Sequence, residues 1–151
     1  MKTFAQPADL APLVGQEVAV SDWIEVTQAQ VNQFAEATGD HQWIHVDVGR
    51  ARSGPFGGTI AHGFFTLSLL PRLLEGSIAI TDVRMGVNYG LNKVRFTDPV
   101  PVGSRVRARF ALLALEAVAG NGMQSTWQVT FEREGSAKPV CVAESLVRHY
   151  L

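Results

Sequence analysis

Residues 62–74 read HGFFTLSLLPRLL, an almost wholly apolar run. Thirteen residues at helical rise would extend about 20 Å. Apolar side chains on every side of such a segment predict a helix buried on most of its surface. Pro71 should end or kink the last turn, since proline lacks the amide donor and its ring collides with the turn before it. After this run, from Ile80 onward, the periodicity changes from helical to two. VRMGVNYG (83–90), NKVRF (92–96) and above all SRVRARFALLAL (104–115) alternate polar and apolar residues, as half-solvated strands of an antiparallel sheet do. GNG at 120–122 predicts a hairpin turn into QSTWQVTFERE, and a last strand runs from about Lys138 to Tyr150. With a short strand at Glu17 to Val20, the count is one long buried helix and about five strands, mostly consecutive. That is an α+β layer in which the sheet wraps the helix.

Working back towards the N-terminus, Thr27 and Gln30 stand in capping-box spacing and Val31, Phe34 and Ala35 share one face. They predict a helix from Thr27 to Thr38, stopped by Gly39. Past that stop the chain reads GDHQWIHVD (39–47), which places the carboxylate of Asp40 and the imidazole of His45 on what should be irregular chain. RSGPFGGTIAHG (52–63) then packs four glycines and a proline into twelve residues, a loop that needs positive φ or close approach by another group.

Composition narrows the function before chemistry enters. The chain has 151 residues, 46% of them hydrophobic, enough for one domain with a real core, and no internal repeat or linker divides it. Thirteen basic against fourteen acidic side chains leave a formal charge of -1, without the basic face that nucleic acid requires. The lone Cys141, in PVCVAESLV, reads as a buried structural thiol. MKTFAQPADLAPL has no signal-peptide core and no stretch is long and apolar enough to span a membrane, so the expected compartment is the cytoplasm. Arg105, Arg107 and Arg109 share one strand face; a solvated outer face is the plain reading, a phosphate contact the sharper one.

Asp40 and His45 admit two readings. An Asp after a helix often caps a turn, and a loop histidine is often structural. Against that, a carboxylate and an imidazole can share one water and exchange protons with it near neutral pH. His62-Gly63 opens an apolar helix whose first amides can stabilise developing negative charge. A proton relay with an oxyanion site is the minimum needed to add water across an enoyl thioester, or to remove it. His41, His45, Asp40, Asp47 and His62 suggest a metal site on paper, but Gly39 breaks the helix that would align His41 with His45, and no metal or cofactor is expected. His62 either orients the loop or packs. Trp43, Phe56, Phe64 and Phe65 read as core, or as the lining of an acyl tunnel.

The same residues carry a resemblance. Gly39-Asp40, four residues and His45, then PFGG at 55–58 and AHG at 61–63, resemble the MaoC-like dehydratases, also called (R)-specific enoyl-CoA hydratases. The likeness runs on through NYGLNKVRFTDPVPVGSRVR. Gln42-Trp43 stand where the usual family signature has Asn-Pro, and GDHQWIHVD looks like the branch that includes nodulation protein N. The resemblance implies a single hot-dog domain over residues 1–151, in which a sheet wraps one long central helix. It implies that Asp40 and His45 hold the water and that the Gly63 amide faces the thioester oxygen, acid and base being unassigned between the pair. The reaction implied is reversible hydration of a trans-2-enoyl-CoA, or its equivalent on acyl carrier protein, to the (R)-3-hydroxyacyl thioester. The alternatives are a hot-dog thioesterase and a non-catalytic acyl-binding subunit. Phe56, Gly57 and His62 are the expected substrate contacts. Lys93 and Arg95 are candidates for the CoA phosphates, or ordinary strand-surface charges. A homodimer is expected, because the sheet has exposed edges and its apolar face covers only one helix.

Overall fold

The computed structural model describes all 151 residues. Six strands form one antiparallel sheet: β2 (Glu17–Val20), β3 (Ile24–Glu25), β5 (Met85–Phe96), β6 (Arg105–Val118), β7 (Gly122–Arg133) and β8 (Cys141–Tyr150). The spatial order is β2-β6-β7-β8-β5, with β3 also pairing with β6. A separate parallel pair joins β1 (Lys2–Phe4) to β4 (Ile78–Ile80). The Gly120-Asn121 turn closes the β6–β7 hairpin at φ 82° and 56°, the left-handed region that Asn-Gly chemistry supplies.

Alternation decides which face is buried. Val106, Ala108, Phe110 and Leu112 of β6, Trp127, Val129 and Phe131 of β7, and Cys141 and Val147 of β8 point inward and pack with Phe65, Leu69, Leu70 and Leu73. Burial pushes the Cys141 thiol up to about 11, so it is inert core, as its apolar surroundings imply. On the opposite face Arg105 bonds Glu134 at 3.2 Å, Arg107 bonds Glu132 at 2.7 Å and Arg109 bonds Glu17 at 2.8 Å. The arginine stripe is therefore a paired outer face.

The sheet does wrap helix, as the hot-dog arrangement requires, but the helix is not one rod. It is two short pieces, α4 (Gly63–Ser68) and α5 (Leu70–Glu75). The break falls at Leu69, whose amide bonds Thr66 in a tightened turn. Pro71 sits in the first turn of α5, where its missing donor costs least, so it starts the second piece instead of ending the first. The sheet count is also six strands where about five were expected, the extra one being the two-residue β3.

Candidate active site

The helix α1 (Gln28–Thr38) has the Thr27/Gln30 capping box and ends at Gly39, φ 78°. Its αL cap turns the chain sharply, and the Asp40 carboxylate accepts the Gln42 amide at 3.3 Å while staying exposed. His45 then lies on a short helix, α2 (Trp43–Val46), not on irregular chain. Asp47 ends α2 and caps α3 (Val48–Arg52) by accepting the Arg50 amide at 2.9 Å. A brace from α1 fixes α2: Gln28 donates to the His45 carbonyl at 2.8 Å and accepts from the Thr59 hydroxyl at 2.6 Å.

Two buried histidines meet at this point. His45 is 6% exposed, and its Nδ1 lies 2.7 Å from the Ile60 carbonyl. A carbonyl only accepts, so Nδ1 carries the proton and Nε2 of the neutral ring keeps its lone pair. His62 is 2% exposed and its Nε2 donates to the Asp40 carbonyl at 2.9 Å. The two rings stack with centroids 3.8 Å apart and planes 28° apart. Burial pushes the His45 pKa below the ordinary histidine value; the Ile60 bond opposes this, His62 adds to it and Asp40 opposes it. His45 is thus a neutral base at pH 7.

Side-chain ligand atoms of Asp40, His45 and His62 all lie within 4.8 Å of one another. Stacked rings hold their in-plane lone pairs in nearly parallel planes, so they do not converge on one ion at the roughly 2.0–2.1 Å that imidazole nitrogen needs. As arranged, Asp40 and His45 suit a shared water and its proton, with the His62 Nε2 already engaged by the Asp40 carbonyl.

Beside His45 opens a cavity of about 320 Å³ whose lining includes Phe56, Ile60, Gly63, Thr66 and Phe96. Gly63 is the first residue of α4, and its amide has no partner within the helix. A Cβ there would stand 2.7 Å from the Phe96 ring, so only glycine lets the helix start this close to β5. His45 and the helix-start amide of Gly63 therefore share one cavity, and the Asp40 carboxylate stands behind them within 4.8 Å of the histidine ligand atoms, outside its lining.

A family model described as MaoC like domain matches residues 9–132. The chain belongs to the MaoC-like family. It is 58% identical over 149 residues, 99% of each chain, to a Mycobacterium tuberculosis protein named 3-hydroxyacyl-thioester dehydratase Z. It is 47% identical over 138 residues to nodulation protein N of Rhizobium leguminosarum bv. viciae, covering 90% of this chain and 86% of that one. Among solved structures it is similar to the (R)-hydratase from A. caviae involved in PHA biosynthesis, at 25% identity and TM-score 0.64, over 89% of this chain and 94% of that one.

In this MaoC-like chain the fold clusters Asp40, His45 and His62, and of the expected site residues His45, Gly63 and Phe56 line the cavity, while Asp40 and His62 do not. Gly57 holds φ 71° beside Phe56 and shapes the loop without lining the cavity. Lys93 and Arg95 lie exposed on β5 and do not line it either; at its rim Asp98 pairs with Arg133 and Lys138, each at 3.6 Å. Of the aromatics expected in the core only Phe65 is buried. Phe64 is 69% exposed and meets Phe96 edge-on, Phe56 is 45% exposed, and Trp43 is half-buried beneath Arg50. His41 is solvated, 3.8 Å from Glu36. Sequence reasoning missed Gln28, Phe96 and the Ile60 carbonyl. The first two lack a local motif and the third is main chain, identical in every residue type.

Proposed function

We propose that this protein is a hydro-lyase that reversibly adds water to a trans-2-enoyl-CoA, giving the (R)-3-hydroxyacyl thioester, with dehydration as the reverse. The observation that carries this is the neutral His45, pinned through Nδ1 so that Nε2 keeps its lone pair, with a carboxylate oxygen of Asp40 within 4.8 Å of the ring's ligand atom. The thioester carbonyl rests against the Gly63 amide, which draws charge onto oxygen and leaves the β-carbon electrophilic. Water held between Asp40 and His45 gives a proton to His45 and its oxygen bonds to the β-carbon. The electron pair moves through the α-carbon to the thioester oxygen, and the α-carbon then takes a proton from the pair, Asp40 stabilising the imidazolium meanwhile. The kinship with 3-hydroxyacyl-thioester dehydratase Z and the likeness to an (R)-hydratase support the substrate class and hand.

The whole chain acts as one hot-dog unit in this reading, and two copies pair. β5 bonds only β8, and its free edge carries Tyr89, Leu91 and Phe96, each at least 40% exposed, with Phe64 adjoining. Phe56 lines the acyl side of the site, Gly57 turns the loop that carries it, and His62 backs His45 from outside the lining. Arg133 and Lys138 contact the rim and join Lys93 and Arg95 as cations for carrier phosphates. No helix is long and apolar enough to cross a membrane, and we place the reaction in the cytoplasm. Mixing the purified protein with crotonyl-CoA should deplete the enoyl absorbance without releasing thiol. Thiol release would make it a thioesterase, and silence in both channels would leave an acyl-binding subunit.

A further inference from the structure

We propose that His62 is the positioning residue of this site: its ring is the platform on which His45 stacks, and its Nε2–H ties down the Asp40 turn. The inference rests on the hydratase reading for its kinetic consequence, not for its geometry. Three observations converge on it. The His62 ring lies 3.8 Å from that of His45 on one side and 5.0 Å from Phe34 on the other. Its Nε2 holds the Asp40 carbonyl at 2.9 Å, so one side chain fixes both members of the pair. Its Nδ1 is buried without a partner. The orphaned Nδ1 is destabilising and offsets what the Nε2 bond to Asp40 contributes, and a phenyl ring against Phe34 would fill the same space with neither. Stability alone therefore does not account for a histidine at this position.

Two face-to-face imidazoles also repel a second proton. The titratable groups facing His45 are His62 and Asp40, and those facing His62 are His45 and Asp40. With His62 present, protonating His45 costs more, which keeps the base free at lower pH.

The test compares wild type with His62→Phe, which keeps a ring and removes the donor, and His62→Gln, which keeps a donor and removes the platform. Each should lower kcat roughly ten- to a hundredfold, as misplaced catalytic groups do, with KM within about twofold of wild type. The melting temperature of His62→Phe should hold or rise. The acid limb of kcat/KM should move to higher pH, and the His45 ring, titrated by NMR, should move with it. A folded His62→Phe with wild-type kcat and an unmoved His45 titration overturns the proposal; if that variant does not fold, His62→Gln decides on the same two readouts. Should wild type prove inactive on crotonyl-CoA, the hydratase reading falls, while the NMR titration still decides whether His62 governs His45.

Discussion

The strands β6 to β8 and the layer from Gly39 to Gly63 keep their backbones satisfied in opposite ways. In the sheet each strand bonds its neighbour along an unbroken run; β6 and β7 stay paired from Val106–Arg133 to Val118–Gly122 with one irregularity. Any residue of suitable face and size serves there. In the layer, side chains hold main-chain carbonyls across long sequence separations: His45 holds Ile60, His62 holds Asp40, Gln28 holds His45. Residue identity matters at each of those points. The sheet is thus expected to govern stability and the layer to govern chemistry.

The sharpest break of that division is the acid–base pair. Asp40→Asn and His45→Gln should each lower kcat for enoyl-CoA hydration by about 10² to 10⁴, the double variant being little worse than the poorer single. The melting temperature of Asp40→Asn should shift modestly, because Asn retains the turn bond to Gln42, whereas His45→Gln gives up the stack on His62 and the imidazole bond to Ile60 and should melt somewhat lower while staying folded. Near-normal hydration with a collapsed melting temperature would make the pair structural. The converse change, Phe131→Ala in the fully buried core, should cost about 3 to 5 kcal/mol in urea unfolding while the folded fraction keeps its kcat. A folded Phe131→Ala enzyme as impaired as Asp40→Asn would dissolve the division.

Gly63 lies on the boundary between the regions. Gly63→Ala drives a methyl into Phe96 and should lower kcat roughly ten- to a hundredfold, with Phe96→Ala in the same chain restoring part of it. Full activity in Gly63→Ala would show that the helix start needs no close approach to Phe96 to place its amide.

Acid titration sharpens the comparison further. The proposed hydration needs neutral His45, whose pKa burial lowers, so the acid limb of kcat/KM should fall below about pH 6.5, the ordinary histidine value. His149 at the end of β8 is lowered by burial as well. For both, the unfolded chain binds protons first as pH drops, so stability is full above about 6.5 and is lost as pH falls through the folded values. Urea midpoints at falling pH should decline in this range, and His45→Gln should remove its share of the slope. An acid limb at or above the ordinary value would contradict the buried neutral base.

Least affected should be the outer face. Arg105→Ala removes a half-exposed pair with Glu134 and should cost at most about 1 kcal/mol, with kcat unchanged. A larger loss would show the stripe to be more than solvated pairing.

The sequence determined what depends on neighbours in the chain. The Thr27 cap, the Gly39 stop, the Asn-Gly turn and the alternation of SRVRARFALLAL each follow from local hydrogen bonding, φ preference or period two, and with them came the antiparallel sheet around a helical core. The resemblance to the MaoC-like family also pointed to Asp40, His45 and Gly63 as the candidate site. Tertiary contact decided the rest. Leu69 breaks the buried helix and Pro71 begins its second half, because a helix packed beneath a curved sheet tolerates a proline where a first turn leaves donors unpaired. Phe64, a core residue by hydropathy, faces outward, since helical phase against the sheet is set by packing partners far along the chain. His62, expected from the sequence as a substrate contact, lies instead behind the pair, where folding laid its ring on His45, and the proton on His45 was assigned by the carbonyl of Ile60, fifteen residues away. Tautomer and pKa belong to burial and to long-range partners, which one-dimensional spacing does not contain.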